Sequence, residues 1–144
     1  MAAAESCTGG LVGHVITQIP KSSDHFLGGI VSYSDGVKEE LLGVSAELLR
    51  HMGAVSAEVA EAMTSGTLHR FPAAHLAVAV TGIAGPDGGS EEKPVGLTYV
   101  SAAVRGGDAV VQRHTWPHDR DGNKRASALA ALDLATRVAT EPPA

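Results

Sequence analysis

Aromatic residues are scarce: one Trp, two Tyr and two Phe, 3% of the chain. The core must then be built from Ala, Val, Leu and Ile. A single cysteine, Cys7, excludes an intramolecular disulfide and suits a reducing compartment. No apolar run approaches the length of a membrane span and no secretory signal is visible, so the expected location is cytoplasmic. Basic residues are outnumbered, 11 Lys and Arg against 16 Asp and Glu, giving a net charge of −5. That balance argues against a surface made for phosphate backbones, so direct nucleic-acid binding is not expected. Charged residues are only 19% of the chain and apolar ones 44%, which excludes a disordered segment.

Glycine is plentiful instead, at 17 residues, and marks many sharp turns. Residues 1–144 are long enough for one domain with a real core, and no linker or internal repeat divides them. Ala4-Glu5-Ser6-Cys7-Thr8-Gly9-Gly10 reads as a strand end and a tight turn. The spacing then predicts a helix over Thr8 to Ile19, stopped by Pro20. Phe26 to Tyr33 reads as a strand, and Ser34 or Asp35 caps a short helix that Gly43 ends. Helices follow over Ala46 to His51 and Ser56 to His69. Leu76 to Thr81 is a near-continuous apolar run, as in a buried parallel strand. Gly82 to Gly96 is a loop whose polar middle, Asp87 to Lys93, is expected to be mobile. Leu97 to Val104 and Ala109 to Thr115 form a hairpin across Gly106-Gly107-Asp108. Asp119 or Arg120 opens a last helix through about Val138, and Glu141-Pro142-Pro143-Ala144 is a frayed tail. Helices alternating with strands predict an α/β domain, three-layer α/β/α with a mixed, mostly parallel sheet. Only Met1 to Ala4 precede the first turn, so either the first strand is clipped or the true chain begins earlier.

Two strand-to-loop junctions stand out, Ser6-Cys7-Thr8-Gly9-Gly10 and Thr81-Gly82-Ile83-Ala84-Gly85-Pro86. In open α/β sheets ligands gather at the carboxyl ends of strands, so adjacent strands would merge the two into one pocket. Ser6 is then either a helix-capping residue among flexible glycines or an attacking hydroxyl beside an oxyanion site. No G-x-S-x-G elbow surrounds it, and no phosphate-loop or dinucleotide fingerprint is present. The seven histidines are scattered. His114 and His118 have a ligand-like interval, but Pro117 breaks any helix between them, so no metal is expected. Cys7 reads as a small buried residue or a nucleophile. Lys38 reads as a surface lysine or as a base in the first turns of its helix. A base needs a pKa of roughly 7–8, a shift costing about 4 kcal/mol, of which the helix dipole supplies about 0.3–1 kcal/mol. Desolvation would have to supply the rest.

Taken in order, residues 4–11 (Ala-Glu-Ser-Cys-Thr-Gly-Gly-Leu), Tyr33-x-x-x-x-Lys38, Leu42-Gly43-Val44, Gly53-Ala54-Val55-Ser56, Thr81-Gly82-Ile83-Ala84-Gly85-Pro86-x-Gly88-Gly89, Lys93-Pro94-Val95-Gly96 and Asp119-Arg120 carry a resemblance. The set resembles the CinA C-terminal domain family, the nicotinamide-nucleotide amidohydrolases, over about residues 4 to 138. The resemblance implies hydrolysis of the carboxamide of nicotinamide mononucleotide to nicotinate mononucleotide and ammonia. It implies a serine–lysine type site with no metal or other cofactor. By position, Ser6 is the nucleophile, Lys38 the general base and later proton donor, and Tyr33 orients Lys38 or relays its proton. Thr8, Gly9, Thr81, Gly82 and Arg120 fall at substrate-binding positions, with Arg120 suited to the single phosphate. The family usually carries a further helix and a fuller strand before Ala-Glu-Ser. It usually has Gly-Ser-Ser where this chain has Lys21-Ser22-Ser23, so a positive φ there would cost about 1 kcal/mol or more.

Three readings follow. The first is the amidohydrolase. The second is a nucleotide-binding module without turnover. The third is an interaction domain in the competence or damage response that the family's name suggests. Ammonia release separates the first from the others, and calorimetry with the nucleotide separates the second from the third. A domain this small with short sheet edges is also a candidate for pairing into a homodimer.

Overall fold

The computed structural model describes residues 1–141; residues 142–144, most of the expected frayed tail, lie outside the described residues. The chain runs β1 (Ala2–Glu5), α1 (Leu11–Thr17), a single 3-10 turn (Ser22–Asp24), β2 (Gly28–Val31), α2 (Asp35–Leu42), α3 (Ala46–Met52), α4 (Ala57–Arg70), β3 (Leu76–Gly82), β4 (Leu97–Val104), β5 (Val110–Thr115) and α5 (Arg120–Thr140). The sheet order is β2-β1-β3-β4-β5. β1 pairs in parallel with β2 and β3, while β4 runs antiparallel to both its neighbours. The expected hairpin thus turns half of the strand pairings antiparallel.

β1 has four residues, yet it is central. Ala2 to Glu5 pair with Gly28 to Val31 on one side and with Ala77 to Val80 on the other. Its alanines are completely buried. Small side chains let helices close in on both faces, and the two cores divide accordingly. Ala3, Val78, Val80 and Val100 pack with Val12 and Ile16 of α1 and with Ala128, Ala131 and Leu134 of α5. Ala4 and Ala79 pack with Leu42, Val44, Leu49, Val59 and Met63. This is the expected three-layer arrangement.

Element ends show where local chemistry prevails over pattern. α1 begins three residues later than its apolar spacing suggests, because Gly9 and Gly10 hold φ of 60° and 109° and keep the turn out of the helix. β2 is shorter than the apolar run Phe26 to Tyr33: it ends at Val31, and Lys38 draws on the carbonyls of Ser32 and Tyr33 beyond it. Ser34, Ser45, Ser56 and Asp119 cap α2, α3, α4 and α5 by accepting a backbone N–H near each start. β1 leads outward to β2 and the chain returns to β3 on the opposite side. The carboxyl ends of β1 and β3 therefore flank the point where the winding changes direction, the usual place for a ligand crevice.

Candidate active site

Ser6 follows β1 directly, and its N–H extends the sheet by donating to the Val80 carbonyl at 3.0 Å. The Gly9 N–H closes back on the Ser6 carbonyl at 3.1 Å. The turn is fixed from behind by Glu5. Its buried carboxylate accepts the Thr8 hydroxyl at 2.6 Å and the N–H groups of Gly10, Val12 and Gly13 at 3.2, 2.8 and 3.1 Å. Among the described residues, the N–H groups of Cys7 and Thr8 have no such partner. Of the two, Cys7 lines the pocket, so its N–H is the donor placed where an oxyanion site would need one.

Lys38 comes to Ser6 from α2. Its side chain is 0% exposed, and Nζ lies 3.0 Å from Ser6 Oγ, 2.7 Å from the Ser32 carbonyl and 3.2 Å from the Tyr33 carbonyl. Burial lowers its pKa from the ordinary lysine value, and the nearby Asp35 carboxylate opposes that shift. In the neutral amine the two N–H bonds can satisfy the two carbonyls. The lone pair then faces the Ser6 hydroxyl, which is the geometry of a base aimed at its proton.

Ser6, Lys38, Tyr33, Thr81, Gly82 and Arg120 line one pocket of about 260 Å³, together with Cys7, Ala54, Val55 and residues of the 83–88 loop other than Pro86. Thr81 is buried and donates to the Ala54 carbonyl at 2.7 Å, which ties the end of β3 to the link between α3 and α4. At Gly82 an added Cβ would meet Thr98 Oγ1, the Leu97 carbonyl and Cys7 Sγ at 2.8 to 3.0 Å, so only glycine fits. Arg120 reaches across from α5 and donates from Nη1 to the Gly85 carbonyl at 2.6 Å.

Sequence position and structural place differ for three of the candidates. Tyr33 is 63% exposed at the rim, and the group that meets Lys38 is its carbonyl. Thr8 is buried with its hydroxyl on Glu5, and Gly9 lies beside Lys124 Nζ; neither lines the pocket. Cys7 lines the pocket but is buried beside Gly82, and burial pushes its thiol up to about 12, which favours the reading of a small packing residue over a nucleophile. The expected mobile loop runs along the pocket. Ser90 and Lys93 bond each other across a tight turn, and Lys93 Nζ donates to the Met52 carbonyl at 2.6 Å. Among the described residues, no group of three or more His, Cys, Asp or Glu is placed to hold a metal ion. No helix among them is long and apolar enough to cross a membrane.

Three contributors escape a reading by residue type. Glu5 is one, although a lone acid closing an alanine strand before a glycine turn is a visible signal. Ser32 acts through its carbonyl, which leaves no trace in sequence. Asn123 is buried, and its amide donates to the Ala84 carbonyl at 2.9 Å while its oxygen accepts the His118 N–H at 3.1 Å. It fastens the 83–85 loop to α5.

A family model described as the CinA C-terminal domain matches residues 1–139. The chain belongs to this family. Among its relatives, a CinA-like protein of Geobacter sulfurreducens is 48% identical over 137 residues, covering 95% of this chain and 33% of its own length. A CinA-like protein of a Synechococcus species is 50% identical over 139 residues, 95% of this chain and 32% of its own. This chain thus spans about a third of the length of these curated relatives. Solved structures agree. The competence/damage inducible protein CihA from Agrobacterium tumefaciens superposes with a TM-score of 0.92 at 40% identity, covering 96% of this chain and 84% of that one. The competence damage-inducible protein A from Klebsiella pneumoniae gives 0.92 at 30% identity, covering 99% and 87%. The CinA C-terminal domain fold therefore brings Ser6 and Lys38, 32 positions apart, into hydrogen-bonding contact.

Proposed function

We propose that this CinA C-terminal domain hydrolyses the carboxamide of nicotinamide mononucleotide, releasing nicotinate mononucleotide and ammonia. The observation that carries this reading is the buried Lys38 amine 3.0 Å from Ser6 Oγ at the floor of a pocket. An amide is a poor electrophile with a poor leaving group. It needs an activated nucleophile, oxyanion stabilisation and a proton for the departing nitrogen. Neutral Lys38 takes the Ser6 proton as Oγ attacks the carboxamide carbon. The open N–H of Cys7, which lines the pocket, meets the oxyanion. Lys38, now an ammonium, gives its proton to the nitrogen, and ammonia leaves an ester on Ser6. Water then attacks that ester with Lys38 again as base, and the acid is released with Ser6 restored.

Size and charge favour a mononucleotide. About 260 Å³ falls below the usual range for ligand pockets of roughly 300–1,000 Å³, which suits one nucleotide better than two. Arg120 at the open side offers guanidinium donors beyond the one spent on Gly85, enough for a phosphate contact. The test is ammonia release from nicotinamide mononucleotide by purified protein, with Ser6→Ala alongside. The wild type should release ammonia and Ser6→Ala should not, while both bind the nucleotide by calorimetry. A Ser6→Ala variant with wild-type turnover would remove Ser6 as nucleophile. Binding without turnover in the wild type would leave a nucleotide-binding module.

A further inference from the structure

Four donors converge on the Glu5 carboxylate. Oε1 takes the Thr8 hydroxyl and the N–H groups of Gly10 and Val12, and Oε2 takes the N–H of Gly13. The side chain is only 3% exposed, so these bonds replace water almost entirely. Every partner is a donor, which demands an acceptor-only group: an ionised carboxylate fits, and a carboxamide does not. The main chain of the same residue is engaged on the other side. The Glu5 carbonyl accepts the Ser32 N–H at 2.7 Å, and the Ser32 carbonyl in turn accepts Lys38 Nζ at 2.7 Å. One residue thus touches the supports of both Ser6 and Lys38, by different atoms.

We infer that Glu5 is a positioning residue: its carboxylate supplies, from within the chain, the anion that seats the Ser6–Gly10 turn and points Ser6 Oγ at Lys38. It touches no substrate. The start of α1 is consequently filled, so its Gly10, Val12 and Gly13 amides do not serve substrate or oxyanion. As an account of catalysis this rests on the serine–lysine reading above. As an account of Ser6 reactivity it can be tested without the nucleotide.

The experiment follows modification of Ser6 by phenylmethanesulfonyl fluoride, read by mass spectrometry across pH, on wild type and Glu5→Gln well below the melting temperature of each. Glu5→Gln keeps side-chain size but turns an NH₂ group toward donors. Its Ser6 should react at least ~10-fold more slowly at every pH, the usual lower scale for a misplaced reacting group. The ascending limb set by Lys38 should stay where it is in the wild type, because the Ser32 and Tyr33 carbonyls still hold the amine. A general loosening of the fold would slow the reaction and move that limb together, and that result overturns the inference. So does a wild-type rate in Glu5→Gln, and so does a wild type whose Ser6 fails to react. Should Glu5→Gln not fold, Thr8→Val decides, since it deletes one donor and leaves the carboxylate. Labelling a few-fold slower supports the inference, and an unchanged rate overturns it. A wild type that is labelled at Ser6 but releases no ammonia from nicotinamide mononucleotide would end the amidase reading and leave the role of Glu5 standing.

Discussion

An ordinary lysine with a pKa near 10.4 is neutral in only about one molecule in 2,500 at pH 7. Lys38 departs from that because its side chain is shut away from water between two carbonyls and a hydroxyl. Burial is the main cause, with Asp35 pulling the other way. The sign of the pH effect follows. On the proposed amidase reading the active base is the deprotonated amine, so kcat/KM for nicotinamide mononucleotide should rise with pH through the lowered Lys38 value and level off above it. A pH–rate profile checks this, and a limb centred near 10.4 would contradict it. Stability moves the same way: between the lowered value and about 10.4 the unfolded chain binds more protons than the folded one, so the fold gains stability as pH rises. Lys38→Met should cost at least ~10²-fold in turnover, the scale for loss of a general base. An effect confined to KM would make Lys38 a binding group only. A second residue-scale test concerns Lys21, which sits at φ 67°, a left-handed conformation that costs a non-glycine residue roughly 1–2 kcal/mol. Part of that returns as unfolded-state entropy when glycine is introduced, so Lys21→Gly should stabilise by about 0.5–1 kcal/mol in urea unfolding. Equal or lower stability would show that the Lys21 side chain compensates for its backbone.

Between elements, the tightest constraint is where α4 crosses the end of α2. A Cβ added to Gly66 would run into the Leu42 carbonyl, which belongs to backbone and cannot swing aside. Gly66→Ala should therefore push α2 from α4 and cost about 2–3 kcal/mol, at the upper end for overpacking. Since α2 carries Lys38, turnover should fall by more than the loss of folded protein explains. Chemical denaturation and ammonia release on the same samples check both, and an unperturbed variant would mean that α2 tolerates the shift. Gly66 illustrates what sequence alone conveys. The α4 pattern from Ser56 to His69 reads as a helix, and the glycine within it says nothing of Leu42. β3 was legible from its unbroken apolar run and α5 from its period and Asp119 cap. The start of α1 was not, because the apolar spacing continues through a turn that two left-handed glycines exclude. Ser6, Lys38, Thr81, Gly82 and Arg120 were legible through ordered motifs and do share a pocket. Ser32 and the Tyr33 carbonyl were not, since a main-chain acceptor can be any residue.

Across the whole molecule, the pocket exists only because the sheet gathers distant segments. Ser6 and Thr81 leave adjacent strands, Lys38 comes from one helical layer and Arg120 from the other. Among the pocket-lining residues described, Arg120 is the cation that reaches over to the β3–β4 loop, where it holds the Gly85 carbonyl at 2.6 Å. Two roles are combined there, bracing the loop and presenting charge, and a pair of substrates can separate them. Nicotinamide riboside needs the same carboxamide chemistry but has no phosphate. A charge-assisted hydrogen bond contributes about 1.5–3 kcal/mol, which corresponds to roughly 10- to 100-fold in binding. Arg120→Ala should thus raise KM for nicotinamide mononucleotide by roughly that factor and leave KM for the riboside within about twofold. If bracing of Gly85 were the larger role, the loop would slacken around either substrate and both values would rise together. Equal effects would therefore assign Arg120 to the wall of the pocket and leave phosphate recognition to a different group.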